Sequence, residues 1–314
     1  MATLKGVIAA AATPLRVDGI IDHDKLVRHC RRLLDLGCDG INLLGTTGEA
    51  TSFSVDERLV AMRAIAQSGL PLERMMVGTG AAALADAVYL TRRACELGFA
   101  GALVLPPFYY KGVDTDALVA YFDALITAAG PEQVRLYLYH FPQNSGVPFT
   151  SESVARLVAA HGDVVQGLKD SSGDLEGAAA FARMHPSLAV FPSAESALDR
   201  SASAGFAGCV SATVNITAPL VSAGWRMLAT DPPAAAANLA AANAIRAALS
   251  SVPLVAAVKW ALSDLTGDAT WEQTAPPLRV LTAAERSTLS IALASTRYQE
   301  LRAAFTDAWN NDAA

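Results

Sequence analysis

The sequence is poor in charge. Asp, Glu, Lys and Arg make up 17% of its 314 residues, against about a quarter in an average globular chain. With 52% apolar residues, that composition excludes intrinsic disorder and allows a large buried core. Lys and Arg are scattered and the formal net charge is -6, so neither a nucleic acid nor an anionic membrane is expected as a partner. No uninterrupted apolar stretch reaches the roughly 20 residues that span a bilayer. The short run Val7 to Ala12 behind Lys5 has the look of a secretory signal, but it flows directly into Thr13-Pro14 and reads as a first strand. Cysteine is scarce too: Cys30, Cys38, Cys95 and Cys209 include no Cys-x-x-Cys pair, and His23, His29, His140, His161 and His185 stand at no ligand spacing. Reduced, buried thiols in a cytoplasmic protein are expected, with no metal site.

What is present is a regular alternation. Short aliphatic runs, nearly continuous in apolar character, are each followed by a longer amphipathic stretch. The runs are Gly6 to Leu15, Gly40 to Leu44, Met75 to Gly80, Gly101 to Leu105, Val134 to His140, Val164 to Asp170, Leu188 to Pro192 and Gly208 to Ala212. Continuous apolar strands are buried on both faces, as in a parallel sheet. Eight βα units predict an α/β fold of the (β/α)8 TIM barrel type. An open doubly wound sheet is the alternative, and the absence of Gly-x-Gly-x-x-Gly after the first strand weighs against it. Gly37, Gly98 and Gly205 are placed as helix C-caps. From Ala229 the chain is Ala-rich: Pro232-Pro233 opens one helix, Pro253 another, and a helix, broken or continuous, is expected over 283–308. The barrel is therefore expected over 1–228, with a C-terminal helical extension over 229–314 packed on it.

Active sites of such barrels lie at the C-terminal ends of the strands. There the sequence places Thr13, the loop Gly45-Thr46-Thr47-Gly48-Glu49, Tyr109, Tyr139, Lys169, Ser171, Ser193, Glu195, Ser211 and Thr213. Lys169 ends a central apolar strand, where an ammonium is costly to bury. Loss of water favours the uncharged amine, which can attack a carbonyl. Equally, Lys169 can be ion-paired to Asp170 or Glu49 and do no chemistry. Tyr139, one strand earlier, is placed to shuttle protons with help from the Thr47 and Tyr109 hydroxyls, or to pack as an ordinary core tyrosine. The Gly-Thr-Thr-Gly loop offers backbone N–H groups and two hydroxyls to an anion; a carboxylate suits it better than a nucleotide phosphate, because no Walker lysine follows.

Taken together, these stretches resemble the dihydrodipicolinate synthase / N-acetylneuraminate lyase family of class I, Schiff-base-forming aldolases. The resemblance rests on Ala12-Thr13-Pro14, the Gly-Thr-Thr-Gly-Glu loop, Pro107-Phe108-Tyr109-Tyr110, Tyr139 with Pro142, Gly167-Leu168-Lys169-Asp170, Val258-Lys259-Trp260 and Pro276-Pro277-Leu278. It implies a Schiff base on Lys169, acid–base chemistry at Tyr139, carboxylate binding by Thr46 and Thr47, and a proton relay through Thr47. It also implies that Tyr109 is lent to a neighbouring subunit in a homotetramer built as a dimer of dimers.

Within that family, dihydrodipicolinate synthases carry an arginine where this chain has Asn144. Neuraminate lyases carry an Asp-Glu pair where this chain reads Ser193-Ala194-Glu195-Ser196. The run Lys169 to Asp174 looks more like aldolases of 2-keto-3-deoxy sugar acids or 4-hydroxy-2-oxoglutarate. Ser171, Ser193, Glu195 and Ser211 then become candidate contacts for a hydroxylated tail. The expected activity is a reversible pyruvate aldolase acting on a 2-oxo acid and an aldehyde, with no metal or organic cofactor. The rivals are a dihydrodipicolinate synthase or dehydratase using the same imine, and a silent 2-oxo-acid-binding relative.

Overall fold

The computed structural model describes residues 3–310. The strands are β1 (Gly6–Ala10), β2 (Gly40–Leu43), β3 (Met75–Gly78), β4 (Gly101–Val104), β5 (Leu136–His140), β6 (Val165–Asp170), β7 (Ala189–Pro192) and β8 (Gly208–Ser211). The helices between and after them are α1 (His23–Asp35), α2 (Val55–Ala66), α3 (Leu84–Glu96), α4 (Thr115–Ala129), α5 (Pro142–Ser145), α6 (Ser151–His161), α7 (Leu175–Met184), α8 (Ser201–Ala204), α9 (Val214–Met227), α10 (Pro232–Leu249), α11 (Leu254–Thr266), α12 (Ala283–Ala294) and α13 (Leu301–Asn310). The strand order β7-β6-β5-β4-β3-β2-β1-β8, with helices between successive parallel strands, is that of a (β/α)8 barrel, carrying additional C-terminal helices. Among the described residues no single helix is long and apolar enough to cross a membrane. Residues 311–314 of the expected extension lie outside the described residues.

The chain divides into two compact units that interleave along the sequence. One is Val55–Val210 with the described residues up to Lys5; the other joins Gly6–Ser54 to the chain from Ser211 onward.

In the first unit, β3 through β7 pair in parallel register. Side chains alternate across a strand, so every second residue faces the helices. Ala102, Val104, Leu136, Leu138, Leu168 and Val190 do so and pack with Phe122, Leu125, Ile126, Leu157 and Phe181. The residues between them, including Leu103, Tyr137, Tyr139, Lys169 and Phe191, face the other way. Tyr137 fits because its neighbours are small. A Cβ on Gly101 or Gly167 would stand 2.9 Å from its ring. Its hydroxyl accepts from the Leu4 N–H at 3.2 Å, which satisfies the one polar atom that this ring buries. Arg58 of α2 caps the end of β3 by donating to the Gly78 and Gly80 carbonyls at 2.8 and 3.1 Å. Burial pulls its guanidinium down to about 10.

In the second unit, Ile8, Ala9 and Ala10 of β1 pair with Gly40, Ile41 and Asn42 of β2. Asp22 caps α1 by accepting from the Lys25 N–H. Asn215, on the first turn of α9, ties several segments together. Its amide donates to the Ala10 and Ala212 carbonyls, both at 2.7 Å, and its oxygen accepts from the Ala12 N–H at 3.0 Å. The same oxygen meets His29 Nε2 at 2.8 Å. Helix α10 lies along α9. The buried Trp271 carries the Lys25 ammonium 4.5 Å from its ring and the His29 ring at its edge.

The expected strands are all present, though the first ends at Ala10 where Leu15 was expected, the third at Gly78 where Gly80 was expected, and the fifth starts at Leu136 where Val134 was expected; the larger differences fall at helix ends. The stretch expected as a helix from Ser196 is a 3-10 turn, Glu195–Arg200, that becomes α-helical only at Ser201. Helix α9 starts at Val214, four residues before the expected Ala218, and runs through Pro219. At that position a proline removes one backbone donor and crowds the carbonyl four residues earlier. The 283–308 stretch is broken by a 3-10 turn over Arg297–Glu300. The one-turn α5 after Tyr139 was not expected.

Candidate functional site

In the first unit, β5 and β6 place Tyr139 directly beside Lys169 in register. Lys169 Nζ donates to the Tyr139 hydroxyl at 3.3 Å and lies 4.4 Å from the centre of its ring. Both side chains are about 95% buried. Alternation along β6 explains why this amine does not pair with Asp170: adjacent residues of a strand face opposite sides. Asp170 instead accepts from the Ser172 N–H and hydroxyl at 2.7 and 2.6 Å. The Glu49 carboxylate, the other ion-pair partner that the sequence left open, is paired with Lys259.

Behind the Lys169–Tyr139 pair, on the helix side, the same register brings His140 beside Asp170. His140 Nδ1 accepts from the Phe149 N–H at 3.1 Å, and the ring meets Phe149 and Phe181 edge-on. Burial holds this imidazole below the ordinary histidine range, although Asp170 and Asp174 pull the other way. A cavity of about 110 Å³ opens on this side, lined by Asp170, Asp174, Ser193 and Ser196 among others. Ser193 therefore lines the cavity on the helix side. Ser171 is half-buried, and its N–H continues the sheet by donating to the His140 carbonyl at 2.8 Å. Glu195 is fully buried. Tyr109 is 74% exposed and stacks edge-on against Tyr110, while Asn144 is exposed on α5.

In the second unit, the loop after β2 is tightly organised. Leu44 and Glu49 both have left-handed backbones, with φ of 49° and 57°. A Cβ on Gly48 would crowd the Ala11 carbonyl and the Leu44 backbone at 3.1 Å, so only glycine fits there without a shift. Thr13 donates its hydroxyl proton to the Gly48 carbonyl at 2.8 Å. The Glu49 and Ala50 N–H groups close onto the Thr46 and Gly45 carbonyls. Within this frame Thr46 is exposed and Thr47 buried. The Glu49 carboxylate is ion-paired with Lys259 and accepts from the Ala275 N–H at 2.7 Å.

Ser211, the last residue of β8, is buried and shares a hydrogen bond with Thr213; both hydroxyls accept from Arg246 Nη1, at 3.0 and 3.1 Å. Sequence reasoning passed over Arg246 because it stands in an alanine-rich helix far from any strand end. Only a basic residue amid alanines marked it. Lys259 was noted as part of a motif, without a role.

Chemically, a buried amine against a buried phenol can form an imine with a carbonyl compound and move the protons that this requires. Comparison with known proteins shows the family to which the chain is similar. The model of the dihydrodipicolinate synthetase family matches residues 3–296. An "Uncharacterized DapA-like lyase" of Chloroflexus aurantiacus is 38% identical over 84% of this chain and 89% of its own. Dihydrodipicolinate synthase from Agrobacterium tumefaciens superposes with a TM-score of 0.84 at 30% identity, over 93% of this chain and 99% of that one. The chloride-inhibited dihydrodipicolinate synthase from Acinetobacter baumannii, complexed with pyruvate, gives 0.81 at 28% identity, over 93% and 98%.

Proposed function

The chain belongs to the dihydrodipicolinate synthetase family and is a carbon–carbon lyase; from that premise we propose that it is a pyruvate aldolase that cleaves and forms a 4-hydroxy-2-oxo acid through an imine on Lys169. The observation that carries this reading is the buried Lys169–Tyr139 pair, 3.3 Å apart on adjacent strands. The pyruvate complex of the Acinetobacter relative supports the choice of 2-oxo acid.

In the proposed cycle the Lys169 amine attacks C2 of the substrate, and Tyr139 passes the protons that turn the carbinolamine into an iminium with loss of water. The iminium withdraws electrons as the C4 hydroxyl loses its proton to Tyr139. The C3–C4 bond breaks, the aldehyde leaves, and the enamine that remains is protonated at C3 and hydrolysed to pyruvate. The iminium serves as the electron sink, so the scheme uses no metal or organic cofactor. Thr46 and Thr47 receive the substrate carboxylate, and Thr47 joins the proton relay. Tyr109, exposed in the single chain, completes the relay of a neighbouring subunit in a homotetramer. Ser171, Glu195 and Ser211 are the proposed contacts of the hydroxylated tail, in a cytoplasmic enzyme; Ser193, which lines the cavity behind the Lys169–Tyr139 pair, is withdrawn from that set.

Asn144 favours this branch over dihydrodipicolinate synthesis. A synthase grips the carboxylate of its aldehyde with a cation at that position, and a neutral amide cannot replace a bidentate arginine. The second reading, a synthase or dehydratase on the same imine, is separated by its products: consumption of aspartate semialdehyde, or loss of water in place of carbon–carbon cleavage.

The test is reduction with borohydride in the presence of pyruvate, followed by peptide mass spectrometry. The adduct is expected on Lys169, and Lys169→Ala should lose both adduct and turnover. A Lys169→Ala variant with parental activity would end the proposal.

A further inference from the structure

Glu49 and Lys259 form an ion pair that is almost wholly out of water. Lys259 is fully buried, and Glu49 is 2% exposed. Around the pair, hydrogen bonds come from the strap that joins the C-terminal helices. Lys259 Nζ, on α11, also donates to the Gln273 carbonyl at 2.6 Å. The other Glu49 oxygen accepts from the Ala275 N–H. The strap itself is held at its start by Lys25, which meets Asp268 and Thr270 at 2.6 Å each. Desolvation lowers the Lys259 pKa while the Glu49 charge works to raise it.

Such a pair is an expensive way to stabilise a fold. Well-packed apolar residues of similar size often stabilise as much or more. Its placement suggests another role. Glu49 is the non-glycine residue that closes the Gly45–Gly48 loop in a left-handed backbone. That conformation is strained for a non-glycine residue and persists only where surrounding groups enforce it. Backbone bonds to Thr46 and from Ser52 hold it locally, and Lys259 with the Ala275 N–H anchors its carboxylate from outside the loop.

We propose that Lys259 and Glu49 are a positioning pair that fixes the Thr46–Thr47 loop for the carboxylate of the 2-oxo acid, acting from the C-terminal helices without touching substrate. This rests on the reading of that loop as the carboxylate site. The pair then governs how well pyruvate is received and leaves the reactivity of the Lys169 amine unchanged.

The experiment measures the pyruvate concentration that half-saturates borohydride trapping on Lys169, and the adduct yield at saturation. It uses full-length Lys259→Met, the double variant Glu49→Gln with Lys259→Met, and Thr47→Ala. Each is assayed at a temperature where circular dichroism shows it folded. Lys259→Met alone leaves a buried carboxylate unpaired and is expected to melt much earlier than the parent; the double variant removes both charges and should recover most of that loss. If the pair positions the loop, the folded double variant still needs roughly tenfold more pyruvate for half-saturation, with parental yield at saturation, as expected when hydrogen bonds to a bound anion are misplaced. A folded double variant with parental half-saturation, alongside a Thr47→Ala that is weakened about tenfold, overturns the positioning role and leaves the loop reading standing. A Thr47→Ala with parental half-saturation removes the loop reading, and this inference with it.

Discussion

At the scale of single residues, the phenol at 139 is asked to carry protons and the amine at 169 to carry carbon. Tyr139→Phe removes only one oxygen. It should lower kcat by about 10²–10⁴, the usual range for general acid–base catalysis, with a much smaller change in KM; steady-state kinetics on an aldol substrate would show a raised KM at nearly parental kcat if the oxygen served binding instead. His29 supplies a prediction about stability. Its Nε2–H is held by Asn215 while Nδ1 is buried without an acceptor. A second proton has nowhere to bond, and burial pushes the ring from 6.5 to about 3. The unfolded chain therefore binds more protons than the folded one below the ordinary histidine pKa. The stabilisation is complete above 6.5 and is lost as pH falls toward 3, at a limiting slope of about 1.4 kcal/mol per unit. Melting temperatures between pH 7 and pH 5 should fall less steeply for His29→Gln than for the parent; parallel profiles would refute this. Both Lys169 and Tyr139 were legible in the sequence, because each is a polar residue closing an apolar strand. Arg246, Asn215 and the role of Lys259 were not. Their partners lie tens to hundreds of residues away, and no local periodicity records such a contact.

Among the elements, strands were read more accurately than helices. A strand buried on both faces leaves an apolar run with polar ends, as at Val165–Asp170. The end of a helix depends on one cap and on what lies beneath it. Thus Ser196 looked like a start but sits in a 3-10 turn, and Val214 to Thr217 looked like loop but are buried as the first turn of α9. Tight spots within strands are testable in the same way. At Gly167 a methyl group would meet the Ala189 carbonyl and the Tyr137 ring. Gly167→Ala should destabilise the protein by about 1–3 kcal/mol, the usual cost of overpacking, read from the urea midpoint at unchanged m-value. Because residue 167 sits one full pleat from Lys169, the same variant should also disturb borohydride trapping; an unchanged midpoint would mean that Tyr137 can move aside.

For the whole chain, eight βα units and an appended helical stretch were visible as a count and a composition. The interleaving of the two compact units was not, because periodicity reports what each segment is and says nothing of which distant segment it joins. The C-terminal helices share a unit with β1, α1 and β2, so the stretch 1–228 should fail as an independent domain. A chain ending at Leu228 loses α10, the apolar surface that α9 buries against it, and the Trp271 plug between Lys25 and His29. It is expected to melt without a cooperative transition and to bind hydrophobic dyes; a sharp transition near that of the full chain would show that the segment stands alone.

The bond from the Ala275 N–H to Glu49 spans 226 residues. During synthesis the Gly45–Gly48 loop leaves the ribosome early, yet the groups that hold it emerge near the end. At about 5–20 residues per second, the nascent chain waits on the order of ten seconds or more with that glutamate lacking its cation. A premature stop ahead of residue 259 would thus release chains in which the strand carrying Lys169 has long been made, but in which the Gly45–Gly48 loop never meets either group that holds Glu49.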